Sequence, residues 1–154
     1  MIDVILFQPE IPQNTGNIGR LCAFTGSRLH LIHPLGFEIS DKNLRRAGMD
    51  YWKALEVFHY GNWQEFLDSA TRPKRIHLMT THGDKTIWDA NFQQGDGLLF
   101  GNEGAGAPSS VHQWVGENRW KIPQFTPELR SLNLAVSVGI TAYEAIRQIQ
   151  QNGG

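Results

Sequence analysis

Leu98-Leu99-Phe100-Gly101-Asn102-Glu103-Gly104-Ala105-Gly106-Ala107-Pro108 is a short apolar run that breaks into closely spaced glycines and ends at a proline. Leu98 to Phe100 reads as a buried strand, and Gly101 to Gly106 as a turn whose glycines let backbone approach a ligand closely. Pro108 suits the first turn of a following helix. Glu103 places a carboxylate inside the turn. Strand, glycine turn and helix in this order are the unit of an open α/β sheet, and such sheets hold ligands in the loops after their strands. Taken alone, the segment also fits a plain glycine-rich surface turn.

The flanking sequence repeats the alternation. Val4 to Gln8 reads as a first strand closed by Pro9 and Pro12. The turn Asn14-Thr15-Gly16-Asn17 follows, then a helix through about Phe24. Leu29 to Ile32 is a second strand, and Ser40 or Asp41 suits the cap of a short helix carrying Leu44, Arg45 and Arg46. Leu55 to His59 reads as a third strand. Asn62 to Glu65 fits a capping box that opens a helix through Ala70. Arg75 to Thr80 alternates as a strand does, and Trp120 to Ile122 is a last short strand. Leu132 to Gln150 is the clearest helix. Ala135, Val138, Ala142, Ala145 and Ile149 line one face at helical spacing, and Leu132, Val136, Ile140 and Tyr143 line a second. One sheet covers one stripe, so the second predicts another subunit, with the first and last helices at the interface.

Composition narrows the class. A chain of 154 residues is the size of one domain, and its formal net charge of −1 excludes RNA coating by bulk charge. There is no run of 18 apolar residues and no basic segment opening the chain at Met1-Ile2-Asp3, which argues for a soluble protein and against secretion or membrane insertion. A single cysteine, Cys22, cannot form an internal disulfide and fits a reducing cytoplasm. The histidines, among them His30, His33 and His77, show no metal-ligand spacing, so no metal is expected. Trp52, Trp63, Trp88, Trp114 and Trp120 are scattered and read as packing residues. Lys42, Arg45, Arg46 and Lys53 form the best basic cluster, either a solvated helix face or a phosphate contact.

Two more loops join the first as candidates. Asn14-Thr15-Gly16-Asn17-Ile18-Gly19-Arg20 could cradle an anion at a helix start, although it lacks GxGxxG spacing and the chain has no GxxxxGK[ST]. Ile122-Pro123 and Arg130-Ser131-Leu132-Asn133 stand at the mouth of the last helix, where Ser131 or Asn133 equally suits a plain cap.

In order the three loops read NTGNIGR, FGNEGAGAP and RSLNLAVSVGI, and this combination resembles the SpoU branch of the SPOUT methyltransferases. Ile11-Pro12-Gln13, Asp41 to Tyr51 (DKNLRRAGMDY), Thr80-Thr81 and Tyr143-Glu144-Ala145 are similar to the small subfamily that methylates the wobble ribose of tRNA. The match covers essentially the whole chain, as one domain over residues 1–154. Gly104-Ala105 stands where many relatives carry Thr-Arg, and Leu134-Ala135-Val136-Ser137 where many have a second asparagine.

The resemblance implies an α/β SPOUT fold: a mostly parallel sheet flanked by helices, with a C-terminal deep trefoil knot. It implies S-adenosylmethionine as cofactor, held by Met79, Gly101, Ile122, Ser131 and Leu132. Asn14, Glu103 and Asn133 match positions that shape the site, and the catalytic arginine falls on Arg20. That arginine acts either as the base or, since guanidinium stays protonated, as a phosphate holder that stabilises the developing alkoxide. Arg45 and Arg46 would contact RNA, and Tyr143 would touch RNA or pack at a subunit interface. The implied partners are a tRNA anticodon stem-loop and a second copy of the chain, with neither membrane nor metal. The implied activity is 2′-O-methylation of the wobble cytidine or uridine. The alternatives are a SPOUT enzyme acting on another tRNA position or on ribosomal RNA, and a non-catalytic Rossmann-like nucleotide-binding module.

Overall fold

A computed structural model describes residues 1–40, 42, 52–127 and 131–153. Its strands are β1 (Asp3–Phe7), β2 (Arg28–Ile32), β3 (Val57–Tyr60), β4 (Ile76–Met79), β5 (Lys85–Thr86), β6 (Gly97–Phe100) and β7 (Arg119–Lys121). They form one seven-stranded sheet in the order β3-β2-β1-β6-β4-β7-β5. Neighbouring strands pair in parallel throughout. The helices described are α1 (Pro12–Thr25), α2 (Trp63–Asp68), α3 (Ser109–Val115) and α4 (Leu134–Gln151), with a 3-10 turn at Trp52–Ala54. No helix among the described residues is long and apolar enough to cross a membrane.

Successive side chains of a strand face opposite ways, so β1, whose residues are all buried, feeds two cores. Val4 and Leu6 join Leu29, Leu31, Leu98 and Phe100 under α1 and α4, where Ile18, Cys22, Val138, Ala142 and Ala145 meet them. Ile5 and Phe7 join Ile32, Leu78 and Leu99 under α2 and α3, against Phe66, Val111 and Val115. The stripe of Val138, Ala142 and Ala145 expected to face the sheet does so. The second stripe stays open: Leu132, Val136, Ile140 and Tyr143 are 48%, 50%, 41% and 47% exposed.

Several boundaries differ from the sequence reading. Asn14 to Asn17 lie inside α1, because Pro12 takes the first helical position and starts the helix ahead of them. Gly26, at φ +72°, ends that helix in the left-handed conformation. The last helix begins at Leu134, with Asn133 as its cap. Strand β5 has too few residues to show a period and was not anticipated. The short helix expected near Leu44 falls outside the described residues. In α2 the capping box holds in part: Asn62 Oδ1 accepts from Glu65 N at 2.8 Å, but the Glu65 carboxylate accepts from Gly61 N rather than Asn62 N. Alternation over 75–80 suggests one wet face, yet every residue of β4 is buried.

Internal partners explain the buried histidines and aspartates His30, His77, Asp3 and Asp96. His77 Nε2 meets Asp96 Oδ2 at 2.9 Å, and its Nδ1 accepts from Trp120 Nε1–H at 2.9 Å. An indole N–H only donates, so His77 carries its hydrogen on Nε2 and directs it at the carboxylate. A second set links His30 to Asp3 (2.7 Å) and to the Tyr60 hydroxyl (2.8 Å), with Arg28 Nη2 on the same carboxylate at 2.6 Å. Burial alone would raise the Asp3 pKa, but the hydrogen bonds and charges of His30 and Arg28 outweigh it and hold the carboxyl below its usual range. Burial, with the Asp3 charge behind it, pushes the Cys22 thiol up to about 12, which makes it a packing residue rather than a nucleophile. Asp3 opens β1 and Asp96 immediately precedes β6, so both networks close the end of the sheet opposite the loops that follow the strands.

Candidate active site

The loops after β4, β6 and β7 converge with the start of α1 on one cavity of about 1120 Å³. Asn14, Glu103 and Asn133 line it, together with Met79, Gly101, Ile122, Ser131 and Leu132. The residues expected to shape the site and to hold a cofactor are therefore brought together from four separate segments. Arg20 is exposed on α1 and does not line this cavity. Arg45 and Arg46 lie outside the described residues; Lys42 and Lys53 are exposed, and Tyr143 is on the open stripe of α4.

A hydrogen-bond relay joins three of the segments. Glu103 Oε1 accepts from Glu10 N at 2.8 Å, and its Oε2 accepts from Ile11 N at 2.9 Å and Asn14 Nδ2 at 3.3 Å. Asn14 Oδ1 in turn accepts from Asn133 Nδ2 at 3.0 Å, while Asn133 Oδ1 caps α4 by accepting from Val136 N at 3.2 Å. Ile11, the N-cap of α1, has no side-chain cap of its own. Glu103 supplies one from 92 residues away and sets a negative charge at the positive end of the helix. With both oxygens engaged, Glu103 clamps the first loop. Asn133 is both the plain cap and a site-shaping residue.

Glu103→Gln tests the clamp. The amide retains one acceptor and turns two donors toward backbone N–H groups. Loss of charged hydrogen bonds of this kind predicts about 1–3 kcal/mol of destabilisation. Cofactor affinity is expected to fall about tenfold as the loops loosen, since 1.4 kcal/mol is a factor of ten. Denaturant unfolding and calorimetric titration read the two effects, and unchanged affinity would remove the relay from the site.

Sequence reasoning missed Asn102, although it stands inside the glycine loop. Its Nδ2 donates to Gln8 O at 2.5 Å, and its Oδ1 accepts from Gly104 N at 2.9 Å and Ala105 N at 3.0 Å. The side chain thus folds the loop and pins it to Gln8, a non-glycine residue held at φ +50°. An asparagine two residues before a glycine is the signal, because its side chain can mimic a backbone turn. Gly101 is required for a different reason. A Cβ there would sit 2.5 Å from the Gly106 carbonyl carbon, inside backbone that cannot yield.

His82, His112 and Lys121 add polar groups to the lining. Arg119 Nη1 lies 3.3 Å from His112 Nδ1, and an arginine only donates, so that nitrogen accepts. Burial, then the charges of Arg119 and His82, hold the His112 pKa below the usual histidine range. Among the described residues, no group of three or more His, Cys, Asp or Glu side chains is placed to hold a metal ion.

A parallel sheet that gathers glycine- and serine-bearing loops around a cavity at the carboxyl ends of its strands has the ligand-site layout of open α/β proteins. The SpoU rRNA Methylase family model matches residues 1–143, and the chain belongs to that family. A tRNA (cytidine(34)-2′-O)-methyltransferase of Aeromonas hydrophila is 47% identical, over 99% of this chain and 97% of that protein. A solved structure described as "Structural insights into the 2-OH methylation of C/U34 on tRNA" is 43% identical, covers 99% of this chain and 98% of its own, and superposes with a TM-score of 0.91. An AdoMet-bound rRNA methyltransferase from Sinorhizobium meliloti is 26% identical at a TM-score of 0.83; the match covers 95% of this chain and 56% of that one.

Proposed function

We infer that this chain is a tRNA ribose 2′-O-methyltransferase, which moves a methyl group from S-adenosylmethionine to the 2′-hydroxyl of the wobble cytidine or uridine in the anticodon loop. The observation that carries this reading is near-full-length identity of 47% to a relative of that name. One domain over residues 1–154, working in the cytoplasm, performs the reaction, and the C-terminal trefoil knot belongs to the same reading.

The cavity fits the cofactor. Its volume of about 1120 Å³ is ample, and its walls combine apolar Met79, Ile122 and Leu132 with the hydroxyl of Ser131 and the open backbone at Gly101. These residues would hold the adenine and sugar. S-adenosylmethionine supplies an electrophilic methyl group on a sulfonium. Asn14, Glu103 and Asn133 keep the loops in register around it. The Arg20 guanidinium holds a phosphate beside the target nucleotide and stabilises negative charge as it develops on the attacking 2′-oxygen.

Because Arg20 is exposed on α1 outside its own cavity, we assign it to the site of a second copy in a homodimer. The two helices pack on each other, and α4 carries the open apolar stripe that the partner would cover. Arg45 and Arg46 complete the RNA-binding surface of the dimer around the anticodon stem-loop, and Tyr143, on the covered stripe, packs at the subunit interface or reaches the RNA from its edge.

Incubating the protein with undermodified tRNA and labelled cofactor, then digesting the RNA for mass spectrometry, tests the function. A ribose-methylated dinucleotide containing the first anticodon residue is expected. Methylation on a base, at another tRNA position or only on ribosomal RNA would overturn the assignment.

A further inference from the structure

Of the tryptophans expected to pack structure, Trp88 does not fit that role. It is 60% exposed, and the nearby Phe125 is 84% exposed; their ring centroids lie 6.3 Å apart with planes tilted by 37°. At that separation the rings are too close to sandwich a third ring and instead present a continuous aromatic surface. Phe125 lines the mouth of the cavity, so the surface starts at the site and runs outward from it.

The backbone beneath anchors the Trp88 half of this surface. Ile87 and Ala90, on either side of Trp88, are buried, and Ile87 N donates to Lys121 O at 2.9 Å. Trp88 N donates to Thr86 Oγ1 at 3.3 Å, and Asp89 N to Thr86 O at 2.9 Å, which closes a tight turn that points the indole outward. In the β5–β7 register Thr86 stands opposite Lys121 and Lys85 opposite Trp120, so two exposed lysines lie on the strands that lead to Trp88 and Phe125. Asp84 and Asp89 are exposed on the same segment. The patch is therefore not strongly basic, and contact with an aromatic face has to supply the affinity. Aromatic rings beside lysines at the edge of a groove are what proteins use to hold unpaired nucleotides.

We propose that Trp88 and Phe125 form a stacking platform for an unpaired base of the substrate RNA, adjacent to the nucleotide whose ribose enters the cavity. The proposal rests on the methyltransferase reading above. It assigns these residues to positioning the anticodon loop, with no part in the chemistry. A loop fits such a platform better than a duplex does, because its bases are already unstacked from their partners.

The test measures binding of an anticodon stem-loop hairpin to wild type, Trp88→Ala, Trp88→Phe and Phe125→Ala, with S-adenosylmethionine affinity measured separately in the absence of RNA. Two further hairpins carry one abasic residue on either side of the target nucleotide. Each alanine variant is expected to weaken hairpin binding about tenfold, whereas Trp88→Phe, which keeps a ring, retains most of the affinity. One abasic hairpin should bind wild type as weakly as the intact hairpin binds Trp88→Ala. Combining the two changes should cost no more than either, since both remove the same contact. Wild-type affinity in the alanine variants, or fully additive losses, would overturn the platform. So would a loss of cofactor affinity without RNA, which would make the pair a lid, or a change in oligomeric state, which would make it an interface. If wild type methylates some other RNA but not the hairpin, the wobble assignment fails. Weaker binding of that RNA by Trp88→Ala would still support the platform, and unchanged binding would overturn it.

Discussion

Arg20→Ala is expected to slow methyl transfer by about 10³-fold or more, while S-adenosylmethionine affinity stays within a few-fold. The separation of the two effects follows from position. Arg20 is exposed on α1 and lines no part of its own chain's cofactor cavity, so its removal leaves the cofactor contacts intact. On the proposed mechanism, what disappears is a fixed charge opposite an oxygen that becomes negative only as the proton leaves and the methyl transfers. Interactions made only at that stage cost rate when removed, and ground-state affinity survives. Arg20→Lys should recover little of the rate, since an ammonium cannot reproduce the two-pronged contact of a guanidinium with phosphate. Single-turnover measurements at saturating tRNA and calorimetric titration of the cofactor distinguish the two quantities. Near-normal turnover in either variant would remove Arg20 from the chemistry.

The loops around the cavity were readable in the sequence because they are short and extreme in composition, while the individual residues expected in them came from the family resemblance. Gly101 to Gly106 declares itself by glycine spacing, and Asn133 by its position before a long amphipathic run. The core was readable for the same reason: the 3.6-residue period of Val138, Ala142 and Ala145 admits one buried face. What escaped depends on contacts between distant segments. Glu103 caps α1 across 92 residues, and nothing near Ile11 announces that its cap comes from elsewhere. The start of α1 was set too late because Asn14 to Asn17 has turn composition, and Pro12 at the first helical position outweighs it. His77 in β4 looks like a wet-face residue until Asp96 and Trp120 satisfy both ring nitrogens. Trp88 misleads in the opposite direction, since composition alone treats every tryptophan as core and only exposure reveals that Trp88 and, to a lesser degree, Trp114 lie outside it.

Ile140→Glu is expected to give a folded monomer that has lost methyl transfer almost entirely. Ile140 is 41% exposed on α4, so a carboxylate there is solvated in the isolated chain and should leave its fold intact. In a dimer the same carboxylate would be buried against an apolar partner surface without a counter-charge, at a cost of several kcal/mol. Sedimentation at working concentration reads the oligomeric state, and circular dichroism confirms the fold. If Arg20 works in the partner's cavity, the monomer retains its cofactor site but lacks the Arg20 that a second copy would bring to it. Mixing two inactive variants isolates that step. An Arg20→Ala chain keeps an intact cavity, and a Gly101→Val chain keeps Arg20 but fills the loop where a Cβ already collides with backbone. After subunit exchange, the mixed dimer holds one complete site, with the cavity from the first chain and the arginine from the second. Activity should therefore reappear in the mixture although each parent is inactive. An active Ile140→Glu monomer would show that one chain suffices. A mixture that exchanges subunits yet stays inactive would place Arg20 in its own chain's site.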